Sequence, residues 1–372
     1  LPRPLPRISI PHFHPLPVLR VTPEAAGAVA VTLAVPAKLR AAFDFVPGQF
    51  LTLRRVIDGA DTRRSYSICS PKARYLATGE VEVGIKPVAN GVFSNWAATT
   101  LKAGDTLDVM PPEGRFTCRA PGAMHRVAFA AGSGITPVLS IMASTLAAQP
   151  ESSFTLVYSN QRVNTILFNE ALQDLKDRYP TRLTLIHLLS RQPQEVALLN
   201  GRLDEAKVRE LLTTLVPTAS IDEAFVCGPE AMIDATERAL LAAGLPGERV
   251  HTERFFASGS QVAPKAKAPN DAANAPPEAA TNQLEVVLDG KTHHLHMAAE
   301  DHVLDAALSA GLDLPYSCKG GVCCTCRARV LEGQVHMDKN FTLEPWEIEK
   351  GFVLTCQARP LTTRVVVSYD ER

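Results

Sequence analysis

From roughly Phe13 to Cys118 the chain alternates apolar and polar residues in short runs broken by Pro, Gly and Asp. That period-two pattern predicts antiparallel strands curled into a barrel. After about Met124 the pattern changes. Val127-Ala128-Phe129-Ala130, Phe154 to Tyr158, Leu183 to Leu188 and Ala224 to Cys227 are continuous apolar runs alternating with helical stretches, which predicts a doubly wound α/β sheet. From Ala257 to about Asn282 large apolar side chains almost vanish, and Pro264, Pro269, Pro276 and Pro277 interrupt any helix, so this stretch reads as a linker. Beyond it, Leu284 to Leu288 and Thr292 to Met297 form a predicted hairpin about Asp289-Gly290. Val303 to Leu308 is a predicted helix closed by Gly311, a helix-like stretch starts at Glu344, and Phe352 to Gln357 returns as a strand.

The whole therefore reads as a multidomain chain of β, α/β and α+β parts: a leader at 1–11, a barrel at 12–121, the α/β domain at 122–256, a linker at 257–282 and a small α+β domain at 283–372. A length of 372 residues fits two to three domains at roughly 100 to 200 residues each. The first residues, Leu1 to Arg7, carry neither a starting Met nor an apolar secretory core, and read as a flexible leader or trimmed end.

A net charge of −1 gives no electrostatic footprint for nucleic acid or an anionic membrane, and neither partner is expected. No apolar run reaches the roughly 18 residues that span a bilayer. Eight cysteines, four of them in one ordered motif, argue for reduced thiols and a cytoplasmic setting rather than a disulfide framework.

That motif is Cys318, Cys323, Cys326 and the distant Cys356, spaced C-x4-C-x2-C and then C, the plant-type ligand pattern for a [2Fe–2S] cluster. Gly320 and Gly321 give the loop freedom to turn amide N–H groups toward sulfur. A cluster carries one electron at a time, so the remaining chain should supply electrons.

Three upstream patterns suit that task. Arg64-Ser65-Tyr66-Ser67-Ile68 offers a guanidinium for a phosphate, a ring to stack on a flavin and a hydroxyl for a ring nitrogen. On a regular strand Arg64, Tyr66 and Ile68 share one face, and Ser65 and Ser67 the other. Gly91-Val92-Phe93-Ser94 opens the helix-like Asn95 to Ala98, a seat for a pyrophosphate. Gly132-Ser133-Gly134-Ile135-Thr136-Pro137 joins the first apolar run to a helix and makes a phosphate cradle. The fourth run ends in Cys227-Gly228-Pro229-Glu230-Ala231-Met232. After the second and third runs come Arg162 and Arg191 with no acidic residue beside them, which suits a 2′-phosphate and favours NADPH over NADH.

These motifs resemble the ferredoxin–NADP reductase superfamily, with its R-x-Y-S, G-x-x-S and C-G-P signatures, joined to a plant-type ferredoxin. The combination resembles the reductase components of bacterial multicomponent oxygenases. The run RRSYSIC, AAGSGITP, FVCGPEAM, HTERF, LPYSCKGGVCCTC, LEGQV and LTCQA is most similar to the reductases of phenylacetyl-CoA epoxidases. The resemblance implies an NAD(P)H-dependent enzyme carrying FAD and a [2Fe–2S] cluster and donating to the oxygenase component of a multicomponent monooxygenase. It implies reactive-site roles for Ser67, Tyr66, Cys227 and Glu253. It implies cofactor contacts from Arg64, Tyr66, Ser67, Ile68, Lys86, Gly91, Phe93, Ser94, Gly132, Ser133, Gly134, Thr136, Arg162, Arg191, Cys227, Gly228, Pro229, Met232 and Phe255, and cluster ligation by Cys318, Cys323, Cys326 and Cys356.

Cys324 departs from the resemblance, because a small residue without a thiol is usual there. Two adjacent thiols thus compete for one ligand place, and spacing alone assigns Cys323. Only Glu248 to His251 matches Glu-x-x-His, whereas a diiron site needs two such motifs, so oxygen chemistry belongs to a separate protein. A Rieske dioxygenase or a steroid or aromatic hydroxylase is the alternative acceptor, and an Fe–S redox sensor the alternative of another class. His293, His294 and His296 read as strand residues rather than metal ligands, since only His294 and His296 share a face.

Overall fold

The computed structural model describes residues 12–118, 122–255 and 281–371. They fall into two compact units, one spanning Phe13–Phe255 and one formed by the chain after it. The expected leader, and all but the last residues of the expected linker, lie outside the described residues.

In the first unit, β1 (His14–Pro23), β2 (Val29–Ala34), β3 (Phe50–Ile57), β4 (Ala60–Ser67), β5 (Glu80–Ile85) and β6 (Thr106–Val109) form one antiparallel sheet of order β4-β3-β6-β1-β2-β5. Its edges curl toward each other: Ile68 bridges Val83, and the Cys69 N–H donates to the Glu82 carbonyl at 2.9 Å. The alternation read from sequence buries Leu16, Val31, Leu33, Leu51, Leu53, Val83 and Leu107 inside. β3 and β4 meet through Asp58-Gly59, both at positive φ (50° and 78°), as the two-residue turn of a right-twisted hairpin requires. Helices α1 (Lys72–Thr78) and α2 (Val92–Thr99) flank the barrel. The latter starts three residues before the expected Asn95, because extended Gly91 already serves as its N-cap.

The second sheet has strands β7 (His125–Ala131), β8 (Ser153–Asn160), β9 (Leu183–Leu189), β10 (Glu223–Gly228) and β11 (Val250–Arg254), all parallel, in the order β11-β10-β7-β8-β9. Between them run α3 (Ile135–Ala148), α4 (Asn169–Arg178), α5 (Glu205–Thr214) and α6 (Glu230–Ala242). The chain leaves β7 in one direction toward β8 and β9, and places β10 and β11 on the other side. The carboxyl ends of β7 and β10 are therefore the switch point where such sheets bind ligands. Residues 135–146 of α3 are all buried, because the helix is covered by the sheet on one side and the barrel on the other. The Ser140 hydroxyl donates to the Ser70 carbonyl at 2.8 Å and Ser144 Oγ accepts from the Lys72 N–H at 3.0 Å.

The second unit contains β12 (Thr281–Leu288), β13 (Lys291–Ala298), α7 (Val303–Ser309), β14 (Arg327–Glu332), β15 (Val335–Met337), α8 (Pro345–Glu349), β16 (Phe352–Leu354), β17 (Ala358–Pro360) and β18 (Arg364–Ser368). A mixed sheet of order β13-β12-β18-β14-β16 stands beside the pair β15-β17, and α7 buries Val303, Leu304 and Ala307 in their core. β12 begins slightly earlier than the expected Leu284. Asp289-Gly290 makes the expected hairpin turn, with both residues at positive φ (51° and 73°). Glu344 and Glu347 cap α8 reciprocally.

Candidate functional site

β4 ends at Ser67, and the end of that strand brings the barrel to the carboxyl edge of the parallel sheet. The Ser67 hydroxyl donates to Glu253 Oε2 on β11 at 3.0 Å. Parallel register sets Glu253 beside Cys227, the last residue but one of β10. Barrel hydroxyl, carboxyl and thiol thus come together. Burial raises the Glu253 carboxyl to about 8, with the Ser67 hydrogen bond opposing, so the group is neutral at pH 7. Burial, reinforced by Glu253, pushes the Cys227 thiol well above its ordinary value.

Behind this trio stands the glycine turn. A Cβ on Gly134 would lie 2.1 Å from the Cys227 carbonyl oxygen, so only glycine lets the turn after β7 approach the end of β10 this closely. Gly228 likewise leaves room for Met232, whose Cε would meet a Cβ at 2.8 Å. Gly132 is left-handed (φ 52°), its carbonyl accepts from Tyr158 at 2.8 Å, and Lys86 Nζ stands 3.6 Å from where its Cβ would be. The barrel lysine therefore faces the turn of the neighbouring domain. Thr136 donates to the Ser133 carbonyl at 3.0 Å, closing the turn onto α3. Pro229 N-caps α6 and holds Met232 in its first turn.

The Tyr66 ring packs on Phe93 at 5.7 Å, and burial pushes its phenol up. Arg64 turns one guanidinium N–H back to the Arg63 carbonyl at 2.6 Å. Gly91 is required where it stands, since a Cβ would meet Ser94 Oγ at 2.5 Å and Val88 Cγ2 at 2.6 Å. Ser94 Oγ accepts from the Val88 N–H at 3.3 Å. This compact opening of α2, with the helix dipole behind it, fits a pyrophosphate. Ile68 and Phe93 are buried in the barrel core, which leaves packing or backbone rather than an exposed side-chain surface for them to offer.

Arg162 and Arg191 follow β8 and β9 on turns linked by the Arg191 N–H to the Gln161 carbonyl (2.9 Å) and the Val163 N–H to Gln192 Oε1 (3.0 Å). Both side chains are exposed. Among the described residues neither forms an ion pair. Phe255 directly follows β11 and is exposed, and no described contact joins it to the trio.

In the second unit Cys318, Cys323, Cys326 and Cys356 converge: Cys318 meets Cys323 and Cys356, and Cys356 meets Cys326. Among the described residues no three His, Cys, Asp or Glu side chains surround one point as a single metal ion needs. The four thiols, linked in the order Cys323, Cys318, Cys356, Cys326, are the number that two bridged irons take. The Cys323 and Cys356 thiols, together with the N–H groups of Gly320 and Val322, hold the Cys318 thiol well below its ordinary range. The Gly320 N–H to Cys318 Sγ distance is 3.3 Å. Cys324 lies apart: its backbone is left-handed (φ 57°) and its Sγ meets Thr342 Oγ1 at 3.0 Å. Cys323, not Cys324, thus joins the thiol group.

Sequence reading left two participants without a role. Gly84 on β5 approaches Thr136 so closely that a Cβ would stand 2.7 Å from its Cγ2, and Gln357 directly follows the last cysteine. The only sequence signal for either is its place beside a motif.

Three family models match the chain: an oxidoreductase FAD-binding domain over residues 27–118, an oxidoreductase NAD-binding domain over 129–238 and a 2Fe-2S iron-sulfur cluster binding domain over 286–361. The 1,2-phenylacetyl-CoA epoxidase of Escherichia coli K12 has a component that is 44% identical over 97% of this chain and 98% of its own length. The ferredoxin reductase component of 3-ketosteroid-9-alpha-monooxygenase from Rhodococcus rhodochrous is 36% identical over 97% and 99%. Phthalate dioxygenase reductase shares the fold with a TM-score of 0.57 at 20% identity, covering 96% of this chain and 98% of that one. An intact type IV self-sufficient cytochrome P450 monooxygenase shares it with a TM-score of 0.66 at 21% identity, covering 99% of this chain and 43% of that one. No helix among the described residues is long and apolar enough to cross a membrane. With FAD-, NAD- and [2Fe–2S]-binding domains in one chain and full-length relatives of this identity, the protein belongs to the family of iron–sulfur flavoprotein reductase components of oxygenase systems.

Proposed function

We propose that this reductase oxidises NADPH and serves a diiron oxygenase of the phenylacetyl-CoA epoxidase kind. The name of the 44% identical relative supports that acceptor. The second relative, a component of a steroid monooxygenase, keeps a different oxygenase as the alternative. The cytoplasm, where thiols stay reduced, is the setting this reading implies.

The observation that carries the chemistry is the meeting of Ser67, Glu253 and Cys227 beside the glycine turn. Bound FAD and the cluster would supply the conversion of a two-electron hydride into single electrons. The chain's residues hold and orient. Arg64, Ser94 and Gly91 would bind the FAD pyrophosphate, with Tyr66, Ser67, Ile68 and Phe93 at its ring. Lys86 and the turn Gly132, Ser133, Gly134 and Thr136 would hold the nicotinamide dinucleotide together with Gly228, Pro229 and Met232. Cys227 and Phe255 would flank the nicotinamide, and Glu253 would hold a proton beside it. Cys318, Cys323, Cys326 and Cys356 would ligate the cluster. On this reading 12–121 is the flavin domain, 122–256 the nicotinamide domain and 283–372 the cluster domain.

The preference for NADPH rests on two exposed guanidinium groups on linked turns, with no acidic residue beside them to accept from a free 2′-hydroxyl. Replacing both with Ala should raise KM for NADPH about tenfold or more and leave KM for NADH nearly unchanged, by loss of charge-assisted bonds to the phosphate. Equal effects on both nucleotides would show that the arginines do not read the phosphate.

Cys326→Ser tests the relay. Reduction of the flavin by NADPH should survive, and electron delivery to the purified oxygenase should fall at least about a hundredfold. Loss of both activities in a folded variant would contradict a linear path. Reconstitution with a diiron epoxidase rather than a Rieske oxygenase decides the acceptor.

A further inference from the structure

The fourth cysteine stands not on the expected returning strand, which ends at Leu354, but in the turn 355–357 between β16 and β17, and Gln357, which follows it there, is 6% exposed. Its Nε2 lies 3.0 Å from the Lys319 carbonyl, 2.8 Å from the Cys356 carbonyl and 3.6 Å from Cys356 Sγ. Sulfur's large radius makes the last distance a hydrogen-bonding one. Two amide hydrogens thus serve three acceptors: one goes across to the loop of the first ligand, and one is shared between the carbonyl and the sulfur of the fourth. The opposite amide orientation would turn Oε1 onto two carbonyl oxygens, so the packing selects the donor.

The surroundings hold the side chain in this place. The Gln357 N–H donates to Leu354 at 2.8 Å, and its carbonyl accepts from Asp338 at 2.9 Å. Gly321 is left-handed (φ 80°), and a Cβ there would stand 3.0 Å from the Lys339 carbonyl oxygen and 3.4 Å, an ordinary packing distance, from Gln357 Cγ, so the glutamine stem runs directly beside the second glycine of the cysteine loop. An N–H aimed at a ligand sulfur stabilises the reduced, more negative state of a cluster more than the oxidised one.

We propose that Gln357 is a positioning and tuning residue of the electron-exit site: its side-chain amide donates to the Cys356 sulfur, ties that ligand to the Lys319 turn and raises the reduction potential of the site. The proposal rests on the reading of the four cysteines as cluster ligands.

The test uses the full-length holoprotein. Gln357→Met keeps an unbranched side chain of similar length over Gly321 but removes the donor. Potentiometric titration followed by electron paramagnetic resonance should show the cluster's equilibrium share of electrons falling about three- to tenfold, tenfold being about 59 mV for one electron. The rate of flavin reduction by NADPH should not change. A second measurement needs no variant: with 15N in the glutamine side-chain amides, the reduced wild-type site should show a 15N hyperfine coupling. It decides alone if Gln357→Met assembles no cluster. An unchanged potential in an iron-loaded Gln357→Met protein, or no coupling in the wild type, overturns the proposal. A wild-type protein that binds no iron while its flavin is still reduced overturns the ligand reading as well.

Discussion

Glu253 owes its unusual titration to a place between two domains. Its carboxyl is raised from the ordinary 4.5 to about 8 by burial, and its hydrogen-bond partner belongs to the barrel. The native protein then carries one more proton than the unfolded chain between those two values. This group's contribution to stability is therefore fully present below about 4.5 and declines as pH rises through about 8. The same ionisation should mark the reaction. Stopped-flow flavin reduction by NADPH, followed from pH 6 to 9.5, should break near 8 in the native protein and lose that break in Glu253→Gln. An unaltered break in the variant would assign the ionisation elsewhere. Arg64-Ser65-Tyr66-Ser67 was legible as a flavin motif, and the HTERF segment already pointed to Glu253 through its resemblance. Their hydrogen bond was not, because it joins residues 186 apart in sequence and depends on how the barrel meets the sheet. Period-two alternation, likewise, did not tell which neighbour Ser67 would face. Cys324 shows the reverse case: two adjacent thiols look equivalent in sequence, and the left-handed backbone at Cys324 gives the two positions different local conformations.

At the scale of elements, the glycine turn between β7 and α3 is where backbone space limits the fold most sharply. Gly134 has an ordinary negative φ, so no torsional demand requires glycine; the Cys227 carbonyl, 2.1 Å from a built Cβ, does. Gly134→Ala must separate the end of β10 from the turn. Backbone on both sides makes this an overpacking cost of about 1–3 kcal/mol. Thermal denaturation should fall by roughly 2–10 °C on the scale expected for a unit of this size. Flavin reduction should slow with it, since hydride transfer tolerates little misplacement. A variant with native melting temperature and native reduction rate would mean the turn yields freely. The apolar runs that became β7 to β10 and the Asp-Gly hairpin turn were readable, because each reports only its own period or its own φ. Strand order was not. β6 pairs with both β1 and β3, and β18 runs parallel to β12, choices made by contacts between distant segments. The start of α2 differs for a local reason: Gly91 to Ser94 read as the opening of a helix at Asn95, but extended Gly91 is itself the N-cap, so the helix begins at Val92.

At the scale of the first unit, barrel and parallel sheet share one core. Ala28, Ala30, Cys69 and Phe116 of the barrel pack with Ile135, Val138, Ile141 and Phe168 of the nucleotide domain. The hydroxyl contacts of α3 and the close approach of Gly84 to Thr136 and Phe168 continue the same seam. Glu24, just after β1, completes it: its Oε2 accepts at 3.0 Å from the N–H of Phe168, the left-handed N-cap of α4. A carboxylate from the barrel thus serves the positive end of a helix in the neighbouring domain, a role that Phe168 cannot fill with its own side chain. Domains joined by a continuous apolar seam should not unfold separately. In calorimetry of the full-length holoprotein, barrel and parallel sheet should therefore melt in one transition. Glu24→Ala should lower that transition by roughly 2–4 °C, the effect of losing about 1 kcal/mol of capping in a body of this size. Glu24→Gln, which keeps an oxygen acceptor, should recover most of the loss. Flavin reduction by NADPH should follow the same order, because the seam sets how the barrel hydroxyl of Ser67 meets Glu253. Resolution of the transition into separate barrel and sheet components, or a Glu24→Gln protein no better than Glu24→Ala, would mean that the seam leaves the two free to move and that the cap does not fix their alignment.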